Sequence, residues 1–165
     1  LGYSTQEMWN SFLPDLPDKY KKQAGNIIGD EMFRLILAGK AALYPRTRET
    51  LALLKESGFH MVFLSNCRHS YMEAHRRMLD LEKYFDAFYC IEDFPVAAKS
   101  EMYEAVRRNH PGTHVIIGDR KQDMEIGTTF HIPSVGCTYG YGSMEELHNA
   151  TCLIDSIDEL VHLLR

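Results

Sequence analysis

From residue 44 onward the chain alternates segments of helical period with short apolar runs, and this alternation constrains its fold more than any other feature. A helical pattern over 46–57 stops at Gly58, and the run HMVFLS at 60–65 follows, too short for a helix and apolar enough for a buried strand. The same sequence of elements recurs along the chain. Helix is expected over 70–79, strand over 87–91, helix over 101–109, strand over 114–118, helix from about 122 and strand over 133–137. A short run at 152–155 and a helix capped by Ser156 and Glu159 close the chain. Strands separated by helices cannot pair as tight hairpins. Each crossover returns the chain in the same direction, so the expected fold is α/β, a Rossmann-like parallel sheet flanked by helices.

The residues before 44 have a different texture. Ser4 and Glu7 fit a capping box ahead of Met8, Trp9 and Phe12, which predicts a short helix ending near Leu13, before Pro14 and Pro17. Helices are expected to continue over 18–43 with a break near Gly25-Asn26. Ile27, Ile28, Met32, Phe33, Leu35, Ile36 and Leu37 supply an apolar face of helical period. The chain therefore divides into a helical segment over 1–43 and an α/β core over 44–165. At 165 residues one core is expected.

Composition narrows the function. No apolar run approaches the ~18 residues of a membrane span, so no membrane association is expected. A net charge of −5, with Lys and Arg scattered, offers no field for a polyanion, and nucleic acid is not an expected partner. Cys67, Cys90, Cys137 and Cys152 fall singly with no metal-ligand spacing, and read as free thiols of a reducing, cytoplasmic compartment.

In open parallel sheets, ligands bind outside the carboxyl ends of the strands. Three polar groups stand at such ends or beside them. Ser65-Asn66 ends the first strand of the core, where a hydroxyl and the following N–H groups can hold a phosphate oxygen; alone, it reads as an ordinary helix cap. Asp119 follows the strand ending in Gly118, and Asp123 lies four residues on. Clustered acids there suit a hard cation such as Mg²⁺, although Asp123 serves equally well as a helix-start acid. Lys99 sits just ahead of the helix over 101–109, able to reach across as a point charge for phosphate; alone, it reads as a surface lysine.

Taken in order, hydroxyl, lysine and acid pair resemble the haloacid dehalogenase superfamily. Ser65 matches its second motif, Lys99 its third and the 118–123 segment GDRKQD its fourth, and the text around them is similar to the phosphoglycolate-phosphatase-like branch over about 43–164. The resemblance implies a Mg²⁺-dependent phosphatase of a small phosphate ester that works through an aspartyl-phosphate. Its cation would be held by Asp119, with Asp123 acting from behind it. Ser65 and Asn66 would bind the phosphoryl group, and Lys99 would offset its charge and assist catalysis.

One departure matters. The family's first motif, DxDx(T/V), carries the nucleophilic aspartate, and it occurs nowhere in these 165 residues; Asp93 and Asp155 do not match it. The nucleophile is therefore unknown within this chain. The catalytic strand is expected upstream of Leu1, since the helices before Tyr44 resemble the latter part of a cap that this branch inserts after the first motif. A catalytically inactive binding or regulatory module and a sugar phosphomutase are the alternatives, and the acid pair disfavours a metal-free dehalogenase. Trp9, Tyr20, Lys21, Arg34 and Lys40 lie where such a cap selects substrates, but read as packing aromatics and solvated cations. His69 reads as a solvated helix-start residue, and Gly140-Tyr-Gly142 as a turn near the cation end of the site.

Overall fold

The computed structural model describes residues 5–95 and 98–164. Two helices come first, α1 (Thr5–Phe12) and α2 (Asp18–Leu37). The chain then alternates: α3 (Thr47–Glu56), β1 (Val62–Ser65), α4 (His69–Met78), β2 (Ala87–Cys90), α5 (Lys99–Asn109), β3 (Ile116–Gly118) and α6 (Lys121–Phe130). It closes with β4 (Ser134–Cys137), β5 (Cys152–Ile154) and α7 (Leu160–Leu163). The capping box expected at Ser4 lies outside the described residues.

Every strand pair is parallel, as the helical crossovers require. The strands nevertheless form two sheets rather than one. β1 pairs with β2, Ser65 opposite Cys90, and β3, β4 and β5 pair in that order, Gly118 opposite Gly136 and Cys137 opposite Ile154. Among the described residues, β1 and β3 each have one edge without a strand partner. Burial follows the pairing. All four residues of β4, flanked on both sides, are buried, whereas all four of β1 are half-buried and Ile117 of β3 is 40% exposed.

Two apolar clusters hold the elements together. Leu54 of α3, Val135 and Cys137 of β4, Ile154 of β5 and Leu160 of α7 form one, with Phe59, Met61 and Val115 packed against it. The other lies where α5 packs on α6, with Met102, Tyr103 and Val106 buried on one helix and Met124 and Ile126 on the other. The buried positions on α5 recur at i, i+1 and i+4, one face of a 3.6-residue period.

Three expectations for the amino-terminal helices are corrected. α2 runs unbroken through Gly25, which is buried; one glycine inside a helix costs only about 1 kcal/mol relative to alanine, too little to end a helix of twenty residues. Its apolar face is not a buried stripe, since Ile36 alone of the seven is fully buried while Ile27 is 62% exposed. α2 packs on α4 instead. Lys21 is not solvated: its ammonium is buried and donates to the Pro14 carbonyl at 3.0 Å, tying α2 back to the chain end of α1. Arg34 does stay in solvent, paired with Glu31, and Trp9 is buried as a packing aromatic.

Met102, with no exposed surface, is the test of the α5–α6 core. Met102→Ala is expected to lower the unfolding free energy by about 2–5 kcal/mol, read from urea denaturation.

Candidate active site

The carboxyl ends of β1 and β3 open onto one cavity of about 630 Å³, lined by Ser65, Asn66, Lys99, Asp119 and Asp123. All five residues singled out from the sequence thus share one space. Ser65 is the last residue of β1, and its Oγ accepts the Cys67 N–H at 3.2 Å, so the chain turns around the hydroxyl. Asp119 directly follows β3. Arg120 stands at the start of α6, and Asp123 reaches back to accept the Arg120 N–H at 3.1 Å, which satisfies a helix-start donor. A β-carbon on Gly118 would stand 2.2 Å from the Asp123 carboxyl carbon, so only glycine lets that side chain fold over the strand end.

Lys99 is the first residue of α5 rather than a loop residue ahead of it. Its ammonium donates to the second oxygen of Asp123 at 2.6 Å, and the two side chains are 14% and 7% exposed. Both Asp123 oxygens are therefore engaged. Asp119 is held differently: its Oδ2 accepts the Tyr141 N–H at 2.6 Å. The loop that brings this amide in approaches closer than side chains permit. A β-carbon at Gly140 would lie 2.2 Å from the Asp119 Cβ, and one at Gly142 1.8 Å from the Asp119 carbonyl oxygen. The Gly140-Tyr-Gly142 turn expected at the cation end is thus the clamp on Asp119.

Sequence reading missed the strut behind that clamp. Arg120, buried, donates through Nε and an Nη to the two oxygens of Glu146 at 2.8 and 3.1 Å, and the Lys121 N–H adds a third bond to Glu146 at 3.2 Å. This fork locks the loop after β4 to the start of α6. The Arg120 guanidinium holds the Glu146 carboxyl below its usual range. A charge pair 26 residues apart carries no local pattern, so nothing in the sequence signals it. Arg68 and Tyr71 also line the cavity, as do Ile28, Met32 and Phe33 of α2. Cys67 lies there too, but burial pushes its thiol above the ordinary value, so at neutral pH it is not a thiolate. His69 starts α4 and is exposed, with its N–H on Glu92 at 2.7 Å.

The donors suit a hard cation. Asp119 has one oxygen fixed by an amide, leaving the other for a metal, and carboxylate oxygen is what Mg²⁺ takes while keeping water in its remaining positions. Asp123, with both oxygens committed, fits a supporting place rather than a direct bond. Among the described residues, no three His, Cys, Asp or Glu side chains gather as a ready-made metal cluster.

A sequence model of the haloacid dehalogenase-like hydrolases matches residues 3–130. The chain belongs to the haloacid dehalogenase-like hydrolase family. Within this family it is similar to a phosphoglycolate phosphatase of Vibrio parahaemolyticus, 28% identical over 130 residues, covering 74% of the chain and 56% of that protein. A phosphoglycolate phosphatase of Salmonella typhi is 23% identical over 156 residues, covering 91% and 62%. The chain thus spans less than two thirds of the length of these relatives. The solved structure of a haloacid dehalogenase-like hydrolase from Streptococcus pneumoniae shares the fold with a TM-score of 0.77 at 19% identity, covering 94% of this chain and 75% of that one.

Lys99→Met strands the Asp123 charge in a buried place and is expected to destabilise the chain by about 3 kcal/mol in chemical denaturation, with Asp123→Asn in the same chain recovering most of the loss. The Glu146 carboxyl, lowered when folded, contributes stability that is present above the unfolded value and lost as pH falls through the folded one. Glu146→Gln should therefore flatten the loss of melting temperature below about pH 4.3, the ordinary glutamate value.

Proposed function

We propose that the chain is the phosphate-handling part of a Mg²⁺-dependent phosphomonoesterase that acts on a small phosphorylated metabolite in the cytoplasm, with the helices before residue 44 as a partial cap. The observation that carries this reading is the meeting of Ser65, the Lys99–Asp123 pair and the amide-held Asp119 on one cavity at the ends of parallel strands. The likeness to phosphoglycolate phosphatases supports a small phosphate monoester as substrate.

In this reading the Ser65 hydroxyl and the N–H groups around Asn66 bind phosphoryl oxygens, and Lys99 offsets the charge that builds as the ester bond breaks. Asp123 fixes the Lys99 ammonium, and the Arg120–Glu146 fork keeps the Tyr141 amide on Asp119, so the remaining Asp119 oxygen is presented in one orientation. Bound there, Mg²⁺ would polarise the phosphoryl group. Ile28, Met32 and Phe33 give the cavity an apolar side against which the carbon part of the ester would pack.

The attacking group is a separate matter. Among the described residues, the carboxylates on the cavity are Asp30, Asp119 and Asp123. Asp123 is committed to Lys99 and Arg120, Asp119 to the cation, and Asp30 sits exposed on α2. The nucleophile is then an aspartate on a further strand seated along the unpaired edges of β1 and β3, where it forms an aspartyl-phosphate that a second acid helps water to cleave.

The test compares the 165-residue chain with one extended at its amino end by a strand bearing the DxD pair, assayed on para-nitrophenyl phosphate with Mg²⁺ or chelator. Turnover is expected only from the extended chain with Mg²⁺. There, Asp119→Asn lowers rate and Mg²⁺ dependence together, and Lys99→Ala lowers kcat. Metal-dependent turnover by the short chain would place the nucleophile among the residues described here and overturn the assignment.

A further inference from the structure

At the opposite ends of the strands from the cavity, two histidine rings face each other. His60 precedes β1 and His110 follows α5, and Nε2 of the first lies 2.9 Å from Nδ1 of the second, with ring centroids 5.0 Å apart. The remaining nitrogen of each ring is already held. His60 Nδ1 is 3.1 Å from Asp86 Oδ2, and His110 Nε2 is 3.0 Å from the Tyr89 hydroxyl. Asp86 is fixed in turn by the Lys55 ammonium and the Met61 N–H.

These contacts decide where the lone pairs point. His60 gives its Nδ1–H to Asp86, so its Nε2 lone pair faces His110. A carboxylate or hydroxyl on the rear nitrogen is the arrangement that orients imidazole ligands and raises their basicity in metal sites. The 2.9 Å separation is that of the N–H···N hydrogen bond between the rings, which meet nearly head-on with centroids 5.0 Å apart, so both rings tilt for their lone pairs to converge on an ion. Imidazole nitrogen suits Cu²⁺ and Ni²⁺, and Cu²⁺ stands highest in the order of divalent affinities.

We propose that His60 and His110 form a two-imidazole site for a divalent ion of the Cu²⁺ and Ni²⁺ class, completed by water. On binding, His110 carries its proton on Nε2 instead of Nδ1 and donates it to the Tyr89 oxygen, whose own O–H turns away. Both rings bind neutral and no net proton is released. The His60 side chain is 55% exposed, so the ion enters directly from solvent. No cavity residue takes part, and the site does not depend on the proposed phosphatase activity.

Titrating the untagged folded chain with Cu²⁺, by calorimetry and electron paramagnetic resonance, tests this. A single ion per chain with coupling to two imidazole nitrogens is expected. His60→Gln and His110→Gln should each raise Kd at least tenfold, and Asp86→Asn, which keeps both ligands, should raise it within the 10–100-fold range of lost outer partners. Asp119→Asn, in the cavity, should leave Kd unchanged. A wild-type spectrum with one nitrogen or none overturns the proposal whatever the variants do. So does an unchanged Kd in both histidine variants, or loss of binding in Asp119→Asn.

Discussion

The site depends on Asp123 having both oxygens occupied. One oxygen takes the ammonium of Lys99 from α5, and the other takes the N–H of Arg120 from its own helix start. A carboxylate taken from water is costly unless its lone pairs are met, so these two bonds are the condition on which the charge stays inside at 5% exposure. They also set geometry. Lys99 is aimed at the cavity because Asp123 holds it there, and Asp119 follows β3 at the position that the Asp123 turn fixes. The α5–α6 core around Met102 and Met124 then acts as the rigid backing of an electrostatic arrangement rather than as a separate stabilising unit.

The division of the strands into two sheets shows in burial as well as in hydrogen bonding. A strand flanked on both sides is buried along its length, and β4 is; β1 and β3, each flanked on one side, leave apolar residues such as Ile117 open. Unpaired backbone groups that are kept from water cost about 1–3 kcal/mol each. β2 and β5 are flanked on one side as well, but it is the carboxyl ends of β1 and β3 that open on the same cavity.

Much of this was legible before any coordinates. Direction of pairing, the strand ends at Ser65 and Asp119 and most helix limits follow from periodicity and from Gly and Pro punctuation, because each is a local property. Strand starts shifted inward: His114 precedes β3 and bonds the Tyr103 hydroxyl, a tertiary contact no window reveals. The burial of Lys21 and the Arg120–Glu146 fork were illegible for the same reason, since each depends on a partner whose position only the fold defines. The break expected at Gly25 failed differently, because propensity is a weak preference that packing overrides. Lys99, a surface lysine by its local text, acquired meaning only through Asp123, 24 residues away.

The grip on Asp119 is made by a backbone amide, not by a side chain. Residue 141 can therefore change its chemistry without loosening the carboxylate, and its ring, 64% exposed at the cavity mouth, is open to variation. Residues 140 and 142 have no such latitude, because any β-carbon there meets Asp119 itself. Two invariant-by-sterics positions bracket one that is free to drift. A lineage can thus alter what the mouth of the cavity recognises at residue 141 while the carboxylate held by its amide at 2.6 Å stays in register, a separation of recognition from chemistry built into three consecutive residues.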